Sequence, residues 1–236
     1  MSAPDLADLE ARLRVIFRRR ELLAQALVHR SYLNENPDFP LASNERLEFF
    51  GDAILGYITA EHLFVHYPQL SEGEMTTLRA ALVRRDTLAQ WARALDLGRF
   101  IYLGRGEAFS GGRDRPALLA GAFEAVVAAI ALDADMEAAR VFLRRFVVPE
   151  TERLLVEQSA KDYKSRLQEV LQSLRQITPT YRTVATLGPD HEKTFIVEVL
   201  AGEDVLGRGS GLNKQTAEQE AAREALSTLG AAGQAK

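Results

Sequence analysis

A chain of 236 residues with 47% hydrophobic content is long enough for two ordinary domains with buried cores. Zero cysteines and four scattered histidines exclude disulfides, thiolate metal sites and a Cys nucleophile, so any metal must be held by oxygen. A net charge of −4 and a pI near 5.7 argue against a generic polyanion binder, and no apolar run reaches the roughly 20 residues of a bilayer span, because Glu124 interrupts the longest.

The N-terminal MSAPDLADLEARLR is acidic and then basic without an apolar signal core, so the expected setting is a soluble protein of the cytoplasm. From Leu6 to about Arg19 the spacing predicts a helix ending in the basic run RVIFRRR. Leu22 to Val28 follows as a second short helix, closed by His29, Arg30, Ser31 and Tyr32, and Asn34 to Ala42, with two prolines, predicts a loop. Ser43 or Asn44 caps the next helix, which should stop at His66 or Tyr67 before Pro68. Ser71 caps another, in which EGEMTTLRAALV leads into RRDTLAQWARALDL. Gly104 to Arg115 predicts a loop, and helices over Pro116–Asp133 and Met136–Phe146 complete an all-helical domain over residues 1–154.

The helix after Asn44 reads NERLEFFGDAIL. On a helix of about 3.6 residues per turn, Glu45, Glu48 and Asp52 share one stripe, beside an apolar face of Leu47, Phe50, Ile54 and Ile58. Carboxylates crowded at the edge of a core raise one another's pKa or recruit a hard cation such as Mg²⁺ or Mn²⁺. A solvated Glu-rich face with Glu48 paired to an arginine accounts equally for the stripe. PALLAGAFEAVVAAIALD is apolar on every face except at Glu124, a costly place for an unpaired carboxylate. If the two helices cross, Glu124 joins Glu48 and Asp52 around one or two cations; the alternative is an ion pair with Arg79, Arg84 or Arg85.

After a polar linker at 155–160 the pattern changes. An amphipathic helix over Asp162–Arg175 precedes strands over Tyr181–Leu187, around Phe195, Val197 and Val199, and over Asp204–Gly209; Asn213 then caps a last helix. The predicted order over 161–230 is α-β-β-β-α, with a frayed tail at 231–236.

With those motifs in view, the sequence resembles bacterial ribonuclease III over nearly its whole length. NERLEFFGDAIL matches the family's signature helix, and ALVHRSY, EGEMTTLRAALV and AFEA match its other motifs. GPDHEKTF and GLNKQTAEQEAA resemble a double-stranded-RNA-binding domain. The resemblance implies an Mg²⁺-dependent endoribonuclease, with Mn²⁺ as a possible substitute, acting as a homodimer on duplex RNA and processing ribosomal and other structured RNA. It implies that Glu48 and Glu124 bind the cation, that Asp52 coordinates it or places the attacking water, and that Glu45 and Glu72 support them. It also implies that Ser165, Gln168, Glu169 and His191 enter minor grooves of RNA, while Lys214 meets phosphate. Of the adjacent Phe49 and Phe50, one packs in the subunit core and the other against a partner, in either order, with core packing favoured for Phe50.

Two positions depart from the family pattern. Gly121 stands where the family usually has an Asp, which leaves the cation count open, and Gln215 stands where a lysine cluster usually continues after Lys214. Residues 161–230 carry nine basic against ten acidic side chains, so modest RNA affinity is expected of this module alone. The competing readings are a non-catalytic duplex-RNA-binding protein on a decayed nuclease scaffold and an all-helical nucleotide pyrophosphatase.

Overall fold

Asp5 accepts hydrogen bonds from the N–H groups of Ala7 and Asp8 and so opens α1 (Leu6–Leu13). The computed structural model describes residues 5–161, 163–189 and 193–233, apart from the side chains of 158–161, 175 and 230–233. Helix α1 ends six residues before the predicted Arg19. Arg14 adopts the left-handed conformation at φ 57°, and the buried Glu10 carboxylate turns the chain by accepting from the Phe17 N–H at 2.9 Å and from Arg20 at 2.7 Å. α2 (Arg20–Ala26) and α3 (Arg30–Glu35) follow. The latter stands where the sequence predicts closing residues and the start of a loop, because His29 Nδ1 caps it by accepting the Ser31 N–H.

α4 (Glu45–His66) stops where Pro68 predicts. Its N-cap residue Asn44 makes no cap bond; the buried amide donates instead to the Ala26 carbonyl at 3.4 Å, tying α4 to α2. Ser71 and Glu74 form a capping box at the start of α5 (Glu72–Val83). The predicted continuation into α6 (Arg85–Ala94) breaks at Arg84, which is extended, while the Thr87 hydroxyl donates to the Ala81 carbonyl across the break. α7 (Arg105–Phe109) and a 3₁₀ turn over Gly112–Asp114 occupy the segment predicted as loop. Pro116 sits in the first turn of α8 (Pro116–Asp133). α9 (Met136–Lys161) runs past the predicted Phe146, through Pro149 and through the polar segment 155–160. VEQSAK is polar, yet Val excepted its residues are sound or neutral helix formers, so composition alone does not end the helix.

The chain parts into two compact units between Glu152 and Arg153. At the centre of the first lies α8, packed against α2, α4 and α6. By length and composition α8 could cross a membrane, with mean hydropathy 1.7, but 67% of it is buried inside this unit and it serves as the core helix. Its Phe123 ring meets Trp91, Phe142 and Phe146 at centroid distances of 5.5–5.8 Å. α4 crosses α8 at Gly51, where a Cβ would stand 1.9 Å from the Glu124 carbonyl oxygen, so the two backbones touch with no side chain between them.

In the second unit, α10 (Tyr163–Arg175) precedes an antiparallel sheet of β1 (Thr180–Leu187), β2 (Thr194–Ala201) and β3 (Asp204–Gly211), in the order β1-β2-β3, and α11 (Lys214–Gly233) follows. Of Phe195, Val197 and Val199, expected to alternate inward, the two valines are buried and Phe195 is half-buried, and Val199 packs with Leu167, Leu171, Ala221 and Ala225. Lys164 joins the two helices through an ion pair with Glu218 at 2.5 Å. Of the predicted tail, 231–233 continue α11, while 234–236 lie outside the described residues.

Replacing Gly51 with alanine is expected to push α4 off α8 and destabilise the helical unit by about 1–3 kcal/mol or more. Gly73→Ala, where an added Cβ meets nothing within 4 Å, is the control and should melt at or slightly above wild type. Thermal and urea unfolding followed by circular dichroism check both.

Candidate functional site

The contact at Gly51 sets Glu124 of α8 beside the acidic stripe of α4. Burial, then the charges of Asp52 and Glu48, push the Glu124 carboxyl up to about 7. Glu48 is also raised, by burial first and then by Glu45 and Asp52. Among the described residues none of Glu48, Asp52 and Glu124 has an ion-pair partner. The predicted alternative of an arginine on Glu124 is therefore not what forms, and Arg84 bonds Thr87 instead.

Oxygen donors that repel one another, with Glu48 and Glu124 half-buried, Asp52 exposed and no counter-charge from the described residues, suit a hard divalent cation. Among the described residues no three His, Asp or Glu side chains close into a metal-ligand shell. The acids are near enough to perturb one another without converging, as expected of like charges that nothing draws together. Gly121 adds a detail: a Cβ there would stand 2.7 Å from Glu48 Oε2 and 2.8 Å from its Cδ. The Glu48 carboxylate thus fills the room that a side chain at 121 would take.

The two supporting acids differ. Glu45 belongs to the cluster through its effect on Glu48, accepts from the Ser43 hydroxyl at 2.9 Å and faces Arg30 at 3.6 Å. Glu72 does not act on the other acids; it accepts from the Thr76 hydroxyl at 3.2 Å and lines a separate cleft of about 370 Å³ with Tyr57, Phe64 and Arg79. Sequence reasoning missed a neighbouring group. The His29 ring, lowered chiefly by burial, feels Glu107, Arg30, Glu45 and Arg115, and Glu107 is ion-paired to Arg115. These residues come from four segments, and no spacing announces their meeting. Gly51 did carry a signal, since an isolated glycine within a helical pattern costs stability and implies a close approach.

In the second unit Ser165, Gln168 and Glu169 share an exposed face of α10 and, with Gln172 and Ser173, line an open groove of about 560 Å³. Lys214 is exposed at the first turn of α11, where the Asn213 side chain accepts the Thr216 N–H at 2.8 Å. His191 lies outside the described residues.

Residues 19–151 match a family model described as Ribonuclease-III-like, and residues 163–229 match the double-stranded RNA binding motif. A protein named Ribonuclease 3 from Dehalococcoides mccartyi is 50% identical over 94% of this chain and 94% of its own length. Another of that name from Roseiflexus sp. is 48% identical over the same shares. A solved nuclease domain of ribonuclease III from Campylobacter jejuni superposes with a TM-score of 0.57 at 36% identity, covering 62% of this chain and 98% of that one.

The raised Glu124 fixes a sign for stability against pH. Between the ordinary 4.5 and about 7 the folded state holds a proton that the unfolded state has lost, so stability from this group is full below 4.5 and falls as pH rises through 7. In chelator, the Tm difference of Glu124→Gln minus wild type is expected to grow by a few degrees between pH 4.5 and pH 8. Added Mg²⁺ at pH 8 should raise the wild-type Tm and leave that of the variant nearly unmoved. Differential scanning calorimetry of both proteins checks this.

Proposed function

The chain belongs to the ribonuclease III family, and from that premise we propose that it is an Mg²⁺-dependent endoribonuclease that cuts double-stranded RNA. The observation that carries the reading is that burial and neighbouring carboxylates raise both Glu48 and Glu124, with Asp52 acting on each, while the described residues supply no counter-charge. These three would hold the cation, with Mn²⁺ an acceptable substitute. When bound, it supplies positive charge that lowers the pKa of water and offsets charge building on the phosphate. Asp52 would orient the attacking water, and Glu48 uses the space that Gly121 leaves beside it. Attack at phosphorus breaks the bond to the 3′-oxygen, leaving 5′-phosphate and 3′-hydroxyl ends, and no protein nucleophile is needed.

The second unit supplies duplex recognition. Ser165, Gln168 and Glu169 offer donors and acceptors on one exposed helix face, suited to 2′-hydroxyls in the shallow minor groove of A-form RNA. Lys214, at a helix N-terminus, suits a phosphate. His191 is assigned the next minor groove on its place in the motif alone.

The protein acts as a homodimer in this reading. Phe49, Tyr57 and Phe64 recur along one face of α4 and are 80%, 55% and 72% exposed, an apolar stripe that a second copy would cover. Phe50, at 41%, is less exposed than Phe49 but is not buried in the subunit core, contrary to the core packing expected for it. The nuclease domain from Campylobacter jejuni is itself described as flexible in a region involved in dimer formation. Two active sites about a two-fold axis would cut both antiparallel strands and leave staggered ends. Processing of ribosomal and messenger RNA in the cytoplasm follows as the proposed setting.

Glu124→Gln is expected to abolish cleavage of long duplex RNA in Mg²⁺, by about 10²-fold or more, while RNA binding persists in a gel-shift assay. Cleavage at the wild-type rate would overturn the reading; binding without cleavage by wild type itself would support the decayed scaffold. Phe49→Asp should convert the dimer to monomer in sedimentation velocity, and an unchanged sedimentation coefficient would remove the stripe from the interface.

A further inference from the structure

The far end of α4 carries a second polar cluster that the nuclease chemistry does not use. His62 and His66, one turn apart, line a cleft of about 290 Å³ between α4 and the first half of α9, over Ile58 and Val147. The rings stand 4.9 Å apart, and Tyr67 meets the His62 ring edge-on at 5.7 Å. His62 Nε2 is shielded from solvent and has no hydrogen-bond partner. Arg144 also lines the cleft and has no acceptor among the described residues.

Donor and acceptor bookkeeping in this cleft is lopsided. Both acids at its edge are occupied by Arg140: Glu61 accepts from Arg140 Nε at 2.7 Å and from the Tyr57 hydroxyl at 2.8 Å, and Glu137 pairs with Arg140 Nη1. Arg144 is thereby left with five N–H donors beside two imidazoles and no acceptor among the described residues. A buried imidazole nitrogen without a partner is costly unless something meets it.

We propose that this cleft binds a small oxyanion of the phosphate class, with Arg144 and His62 as its donors. A transition-metal ion fits less well: the Arg144 charge opposes it, Glu61 and Glu137 are held by Arg140, and among the described residues no third His, Asp or Glu completes a ligand group with the pair. A phosphate group brings four acceptor oxygens and the charge that Arg144 lacks. On α4, His62 lies ten residues beyond Asp52, about 15 Å along the axis, so the cleft is distinct from the acidic cluster.

The test is imidazole NMR of the full chain, titrated with inorganic phosphate at fixed pH and ionic strength. Saturable shifts of the His62 and His66 ring signals are expected, with half-saturation on the order of 1 mM. Arg144→Ala, an exposed position that leaves the core intact, should weaken the response about tenfold or more, Arg144→Lys should restore part of it, and RNA cleavage should be unchanged in both. A parallel titration with short RNA bearing or lacking a 5′-phosphate identifies the source: a response to the free ion assigns the cleft to free phosphate, and one requiring the 5′-phosphate assigns it to RNA ends. No shift, an equal shift in Arg144→Ala, or a response to Zn²⁺ alone would overturn the proposal.

Discussion

Everything at the acidic site depends on one steric fact, the backbone contact of α4 with α8 at Gly51. A methyl group there would collide with the Glu124 carbonyl, and the helices would part. The contact brings Glu124 under the α4 stripe, where burial and two neighbouring charges raise its carboxyl to about 7. Folding therefore assembles a repulsive cluster, which the α8 core around Phe123 must outweigh. With no counter-charge from the described residues the acids stand close but do not converge, as electrostatics expects of like charges that nothing draws together.

The acids were legible in the sequence because charge on an otherwise apolar helix is anomalous, and the anomaly at Glu124 pointed to the anomaly at Glu48 and Asp52. Elements with a strong stop were legible too: Pro68 ends α4 and Ser71 starts α5 where expected. Two of the misses share a physical origin. The end of α1 and the break at Arg84 are marked by side chains that bond backbone six or seven residues away, Glu10 to Phe17 and Thr87 to Ala81, which periodicity does not encode, while α9 persists because a polar composition does not itself end a helix. The assembly of His29, Glu107 and Arg115 was invisible for the same reason, since it is tertiary.

Charge presents a parallel problem. A chain of net −4 that handles a polyanion must segregate its charges rather than accumulate basic ones. Here part of the acidic surplus is confined to Glu45, Glu48, Asp52 and Glu124, where a cation would reverse its effect on a phosphate. The exposed face of α10 proposed to meet RNA carries Ser165 and Gln168 with a single acid, Glu169, a set suited to reading shape through hydrogen bonds more than through charge. In the proposed reading Lys214 is a local phosphate contact and need not be part of a basic patch.

Seen along its axis, α4 holds two opposite imbalances. Near its N-terminal end are acceptors in excess, the carboxylates of Glu48 and Asp52, which with Glu124 of α8 have no ion-pair partner among the described residues; near its C-terminal end are donors in excess, His62 Nε2 and Arg144, because Arg140 has already taken Glu61 and Glu137. A helix dipole would favour acids at the first end and cations at the second, yet it is weak beyond a turn and leaves Asp52 and His62 unexplained. Both ends have the same remedy, a small ion of the sign each lacks. A chain that neutralised either cluster with its own side chains would gain stability and lose the corresponding site, which is why the imbalance at the acidic end is itself the mark of function.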